Sequence, residues 1–237
     1  ETGDYRYLHG RVCGNKMELS TFDGSHAFWF DARKEANGEL NGVFRSGTHW
    51  KESWTAVKNN RHQLADMKQM TYLKEGYTGL NFRMSDLNGQ YHSLSDSLYK
   101  NKVVIVQILG TWCPNCMDET KYLVEMYEKY NEDGLEIVAL DFEPDTSFDY
   151  FHLRVSEFTR ALNVKYPVLK AGYSKKSEAA KALPMLNEII SYPTAIFIDR
   201  SGRIKEIHTG FNGPGTGDAY RKYRIKTETL IQKLLLN

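Results

Sequence analysis

Two cysteines three positions apart, Cys113 and Cys116, stand in the stretch Gly-Thr-Trp-Cys-Pro-Asn-Cys that begins at Gly110. Such a pair can ligate a metal, staple the chain or exchange electrons. A structural zinc site takes four ligands and a catalytic one takes three plus an open position. The chain has one further cysteine, Cys13, about a hundred residues upstream, and its seven histidines are scattered with no His-x-x-x-His pair. No metal is expected on that supply. A disulfide across two intervening residues closes a very small loop and constrains the unfolded chain little. Redox chemistry is the favoured reading, with the reversible Cys113–Cys116 bond itself as the redox centre and no other cofactor.

The elements around the pair agree with that chemistry. Lys102 to Leu109, "KVVIVQIL", is a nearly continuous apolar, β-branched run, which suits a strand covered on both faces. From Cys116 onward, Thr120, Leu123, Tyr127 and Tyr130 recur at helical spacing, and "NEDG" stops the pattern before a second buried strand, "LEIVAL". Strand, helix and strand in this order form a right-handed βαβ unit with parallel strands. The cysteines thus sit at the carboxyl end of a central strand, on the first turn of its helix. Unpaired backbone N–H groups and the helix dipole stabilise a thiolate there. Cys113 is the expected nucleophile and Cys116, one turn further in, the shielded resolving thiol. Pro114 fits the first helical turn, where the N–H that it lacks has no partner. Trp112 either covers the site or packs structurally.

At these residues the chain resembles a known group. "KVVIVQILGTWCPNCMDE" is similar to the active-site strand and helix of the thioredoxin superfamily. "SYPTAIFID" resembles its second hallmark, a proline that is cis in that family and faces the dithiol. The resemblance implies an α/β thioredoxin fold over residues 79–237, a mixed central sheet flanked by helices, with a cis bond at Tyr192-Pro193. It also implies a wall of Trp112, Pro114, Tyr192, Pro193 and Thr194 that holds a substrate peptide beside Cys113. The long segment between "LEIVAL" and "SYPT" and the opening "LNFRMSDLNGQYHSLSDSLYKNKVVIV" are similar to the TlpA/ResA-like thiol-disulfide oxidoreductases. That group implies protein thiol or disulfide substrates, a membrane or thioredoxin-type electron donor, a disulfide-reducing role, and a periplasmic or other extracytoplasmic place with an anchor in a removed N-terminal segment.

One departure matters. Thioredoxins carry a buried Asp six residues before the nucleophile, and this chain has Gln107 there, which cannot titrate. Glu143, just past the second strand, is the candidate acid, with Asp141 as the alternative; a carboxylate beneath the dithiol could act as general base for Cys116. Two rival functions are weighed. The peroxidase pattern Pro-x-x-x-Thr-x-x-Cys is not met, since Gly110 stands where Thr is needed before Cys113, and Cys113 itself stands there before Cys116. A thioredoxin-like chaperone or adaptor would bind thiol proteins without turnover, and an intact dithiol argues against that.

The remaining sequence sets the frame. Thirty-one basic and thirty acidic residues give a formal charge of +1, with no basic cluster to follow a phosphate backbone, so nucleic acid is excluded as a partner. Residues 1–58 alternate with period two between Gly, Asn and Asp turns, which predicts a small antiparallel β module, followed by a linker over 59–78. His9, His26, His49, Trp29, Trp50 and Trp54 read as packing or rim residues. The module is expected to support, dock or dimerise the chain, and Cys13 to be a harmless thiol or a link between two copies. Two helices are expected between residues 147 and 190 around a short strand at "YPVL", with Pro184 kinking or opening part of the second, and a last amphipathic helix from Asp218 to Leu236.

Overall fold

Alternation in the first part of the chain becomes a sequential antiparallel meander: β1 His9–Cys13, β2 Lys16–Phe22, β3 Ala27–Lys34, β4 Leu40–Ser46 and β5 Trp50–Ala56. The computed structural model describes residues 8–22, 27–62 and 70–236, which divide into two compact units, described residues 8–62 and 70–236. Residues 5–7 of the first expected strand and His26 lie outside the described residues. Gly14, at φ +57°, takes the left-handed turn between Cys13 and Lys16. Register places Phe30 opposite Phe44, with ring centroids 4.7 Å apart, and the Trp54 ring edge-on to Phe30 at 6.3 Å. Gly42 makes room for that indole, because a Cβ there would stand 2.6 Å from it.

The second unit is built on the mixed sheet β10-β9-β8-β11-β12. Strands β8 Val103–Leu109, β9 Leu135–Glu143 and β10 Val168–Tyr173 run parallel, while β11 Thr194–Ile198 and β12 Ile204–Thr209 are antiparallel additions. All residues of β8 and β9 are buried, including the acids Glu136, Asp141 and Glu143 of β9. Helices α1 Pro114–Tyr130, α2 Phe148–Leu162, α3 Lys176–Ala182 and α4 Asp218–Leu235 accompany the sheet. Ahead of it, β6 Met84–Ser85 and β7 Tyr91–His92 pair across a turn whose amides at Asn88 and Gln90 donate to Asp86 Oδ1.

Within the linker expected over 59–78, Leu73 pairs with Leu186, the Tyr72 N–H donates to Asn187 Oδ1, and the Thr71 N–H donates to Thr209 Oγ1. These bonds join residues more than a hundred positions apart, so local composition cannot announce them. The second expected helix stops at Ala182, because the residue before a proline is pushed out of the helical region, and Leu183 stands at φ −127°, ψ 65° before Pro184. The strand expected at "YPVL" starts at Val168 and continues to Tyr173, held in parallel register by β9.

Candidate active site

Strand β8 delivers the chain to Gly110 at the carboxyl end of the sheet. The Trp112 indole folds back over this glycine and donates to the Phe142 carbonyl at 3.0 Å. A Cβ on Gly110 would stand 2.3 Å from the indole nitrogen, so glycine is required for this turn. Cys113 then caps α1: its backbone is extended and its Sγ accepts from the Cys116 N–H at 3.3 Å, with Pro114 opening the helix. Both cysteines are thiols. Cys113 is only 5% exposed, and Cys116 is fully buried.

Residues from the far end of the chain close over the pair. The Tyr192–Pro193 peptide is cis, and the Cys113 thiol lies 3.6 Å from the Tyr192 carbonyl. The Tyr192 ring meets Trp112 edge-on at 5.4 Å, and its hydroxyl donates to the Ser174 carbonyl. Trp112 is exposed and Pro114 half-buried, so both line the approach. Thr194 does not: it is fully buried, and its hydroxyl donates to the Ser191 carbonyl, closing the turn that carries Pro193. It shapes the wall from behind.

The acids sort into two groups. Glu143 is buried, and its Oε1 accepts from the Thr111 N–H at 2.8 Å and the Thr111 hydroxyl at 2.6 Å, so this carboxylate straps the loop that enters the dithiol. Asp141 lies on the same face of β9; burial, then the charge of Glu143, pushes its carboxyl well above the usual range. The acid that bears on Cys116 is one the sequence reading missed. Glu119 is fully buried one turn beyond Cys116, with Oε2 accepting from Gln107 Nε2 at 2.9 Å and Oε1 from the Tyr223 hydroxyl at 3.3 Å. Burial pushes its carboxyl up to about 8, against the opposing pull of those two donors. The Cys116 thiol is raised well above its ordinary value, first by burial, then by its bond to Cys113 and the charge of Cys113, and in part by the charge of Glu119. An available signal was the spacing: a residue three positions after a buried helical Cys lies on its face.

Among the described residues, no group of three His, Cys, Asp or Glu could hold a metal ion, and no helix is long and apolar enough to cross a membrane. Cys13 is exposed on β1.

A dithiol on the first turn of a helix, at the carboxyl end of a central parallel strand and against a cis proline, defines a thioredoxin-fold protein. The chain belongs to the AhpC/TSA family, whose profile matches residues 76–207, and within that superfamily it is a TlpA/ResA-like protein. The thiol-disulfide oxidoreductase ResA of Geobacillus thermodenitrificans (strain NG80-2) is 32% identical over 143 residues, covering 60% of this chain and 73% of that protein. The ResA of Bacillus cereus (strain ATCC 10987 / NRS 248) is 35% identical over 124 residues, covering 52% and 63%. A solution structure of a candidate protein disulfide isomerase from Bacteroides thetaiotaomicron matches 70% of this chain and 93% of that one, with a TM-score of 0.50 and 18% identity, a likeness of fold.

Proposed function

We propose that the Cys113/Cys116 dithiol reduces disulfides of extracytoplasmic proteins and is recharged by a membrane or thioredoxin-type donor. The chain is a thiol-disulfide oxidoreductase, in keeping with the relatives that carry that name. The observation that carries the reading is a nucleophile and its resolving partner on one helical turn: Cys113 Sγ at the cap, Cys116 behind it, and a titratable acid one turn deeper.

The Cys113 thiolate attacks one sulfur of a substrate disulfide; a Cys113–substrate bond forms and the other substrate sulfur leaves as a thiolate. Cys116 passes its proton to the Glu119 carboxylate and attacks the Cys113 sulfur. The Cys113–Cys116 bond forms and the second substrate thiolate departs, so the substrate gains the two electrons that the dithiol loses. Trp112 and the Tyr192–Pro193 turn flank the incoming peptide, and the Cys116 N–H stabilises the Cys113 thiolate before the first attack. Glu143 holds the Thr111–Trp112 loop in place through Thr111. The N-terminal β module serves as a docking or dimerising unit in this reading.

Insulin reduction with dithiothreitol as electron source tests the activity. Wild type should accelerate it and Cys113→Ser should not; equal rates from both would refute dithiol turnover. The direction is tested by equilibrating the couple with glutathione: a potential near about −270 mV suits a reductase, whereas one near about −120 mV belongs to an oxidant and would overturn that part of the proposal.

A further inference from the structure

Gln107 cannot titrate, yet both ends of its amide are engaged. Thr120 Oγ1 lies 3.1 Å from Gln107 Oε1, and Gln107 Nε2 lies 2.9 Å from Glu119 Oε2. An amide oxygen only accepts and an amide NH2 only donates, while a hydroxyl does either. The Thr120 hydroxyl therefore donates to Oε1, and this leaves the NH2 aimed at the carboxylate. Gln107, Glu119 and Thr120 are all fully buried, so bulk water does not compete for these bonds.

We propose that Thr120 and Gln107 are positioning residues that keep Glu119 able to take the Cys116 proton: the hydroxyl fixes the amide, and the amide N–H favours the ionised form of the carboxylate against its burial. The inference rests on the role given to Glu119 above. Its physical basis is that a donor to a buried carboxylate favours the ionised state, whereas an acceptor favours the protonated one. Without the Thr120 hydroxyl, the Gln107 amide is free to turn over and offer Oε1 to Glu119, which reverses its effect. Fewer Glu119 side chains are then ionised at neutral pH.

The ionisable groups facing Glu119 are Cys116 on its own helix, Tyr223 on α4, and Tyr166 ahead of β10, which also faces Thr120. From β8 it meets the neutral Gln107, and the His208 ring of β12 packs against Tyr223 with centroids 4.9 Å apart. Burial raises Glu119 to about 8, and Gln107 acts against that rise, so a change in the amide moves proton uptake within the range where the enzyme is assayed.

The test uses the reduced full chain in a Cys13→Ser background, which silences the exposed third thiol. Dithiobis(nitrobenzoate) is the probe. Cys113 attacks it, breaks its S–S bond and releases one nitrothiobenzoate thiolate; Cys116 then attacks the Cys113 sulfur, forms the internal disulfide and releases the second. The second release reports the proton transfer. Its rate in the parent should rise with pH through a midpoint near 8. Thr120→Val, of equal shape, should slow it about tenfold at pH 7 and move the midpoint up, with the first release unchanged. Thr120→Ser should keep the parental profile.

The inference is overturned if Thr120→Val keeps the parental profile, if Thr120→Ser moves as Val does, or if both releases fall together, which would mean lost packing. Glu119→Gln, run alongside, separates the two levels. If it leaves the second release unaltered, the role of Glu119 fails and the inference with it. If it slows that release while Thr120→Val does not, only the inference fails.

Discussion

Replacing Glu119 with Gln should make the folded protein more stable, increasingly so as pH rises, while impairing the proton transfer just described. The carboxyl sits at 0% exposure, and burial lifts it from 4.5 to about 8. The folded state thus binds this proton more tightly than the unfolded chain does. The associated stability is whole below about pH 4.5 and is lost as pH climbs toward 8, by about 1.4 kcal/mol per pH unit within that window. Between about pH 5 and pH 7.5 the wild type should lose about 3 kcal/mol that the Gln variant keeps, since a glutamine oxygen still accepts from Gln107 and carries no charge to desolvate. Urea unfolding of the reduced full chain, followed by far-ultraviolet dichroism at several pH values, reads the difference. A stability gap between the two proteins that stays constant across that range would refute the argument, because it would mean that Glu119 binds its proton alike in the folded and unfolded states.

Two further substitutions probe the scaffold. Thr111→Val removes the 2.6 Å hydroxyl bond to the buried Glu143 and leaves the 2.8 Å backbone bond, so urea midpoints should show a loss of about 1–3 kcal/mol, with Thr111→Ser close to wild type. Ser147→Ala removes the side-chain cap that accepts from the Tyr150 N–H at the start of α2; it should cost about 1 kcal/mol and speed hydrogen exchange in that first turn, and unaltered exchange there would count against the cap.

Most of what is local was legible. The run Val103–Leu109 reads as a doubly covered strand because no polar side chain but Gln107 interrupts it, and it is buried throughout. Pro114 and the Cys pair mark the start of α1, and "NEDG" marks its end, since caps and breakers act within a turn of themselves. Asn163, at φ 55°, ends α2 in the left-handed conformation that asparagine tolerates. The end of α3 was misjudged although Pro184 was in view, because the restriction falls on the residue before it.

By itself the sequence determined the dithiol and its place on a helix after a buried strand, while the proline turn facing it came from the resemblance to the thioredoxin superfamily. The first two follow from side-chain type and from spacings of 2 and 3.6 residues, which operate within a single element. Tertiary structure alone decided how deep the dithiol lies and which acid is buried beside it. A glutamate on a helix faces water unless that face is covered, and Glu119 is covered because α1 turns it toward Gln107 on β8 and Tyr223 on α4. Cys113 is nearly enclosed because Trp112 and Tyr192, eighty positions apart, meet over it. Residues 71–73 are joined to Thr209, Asn187 and Leu186 for the same reason: backbone groups find their partners in space, whatever their separation along the chain.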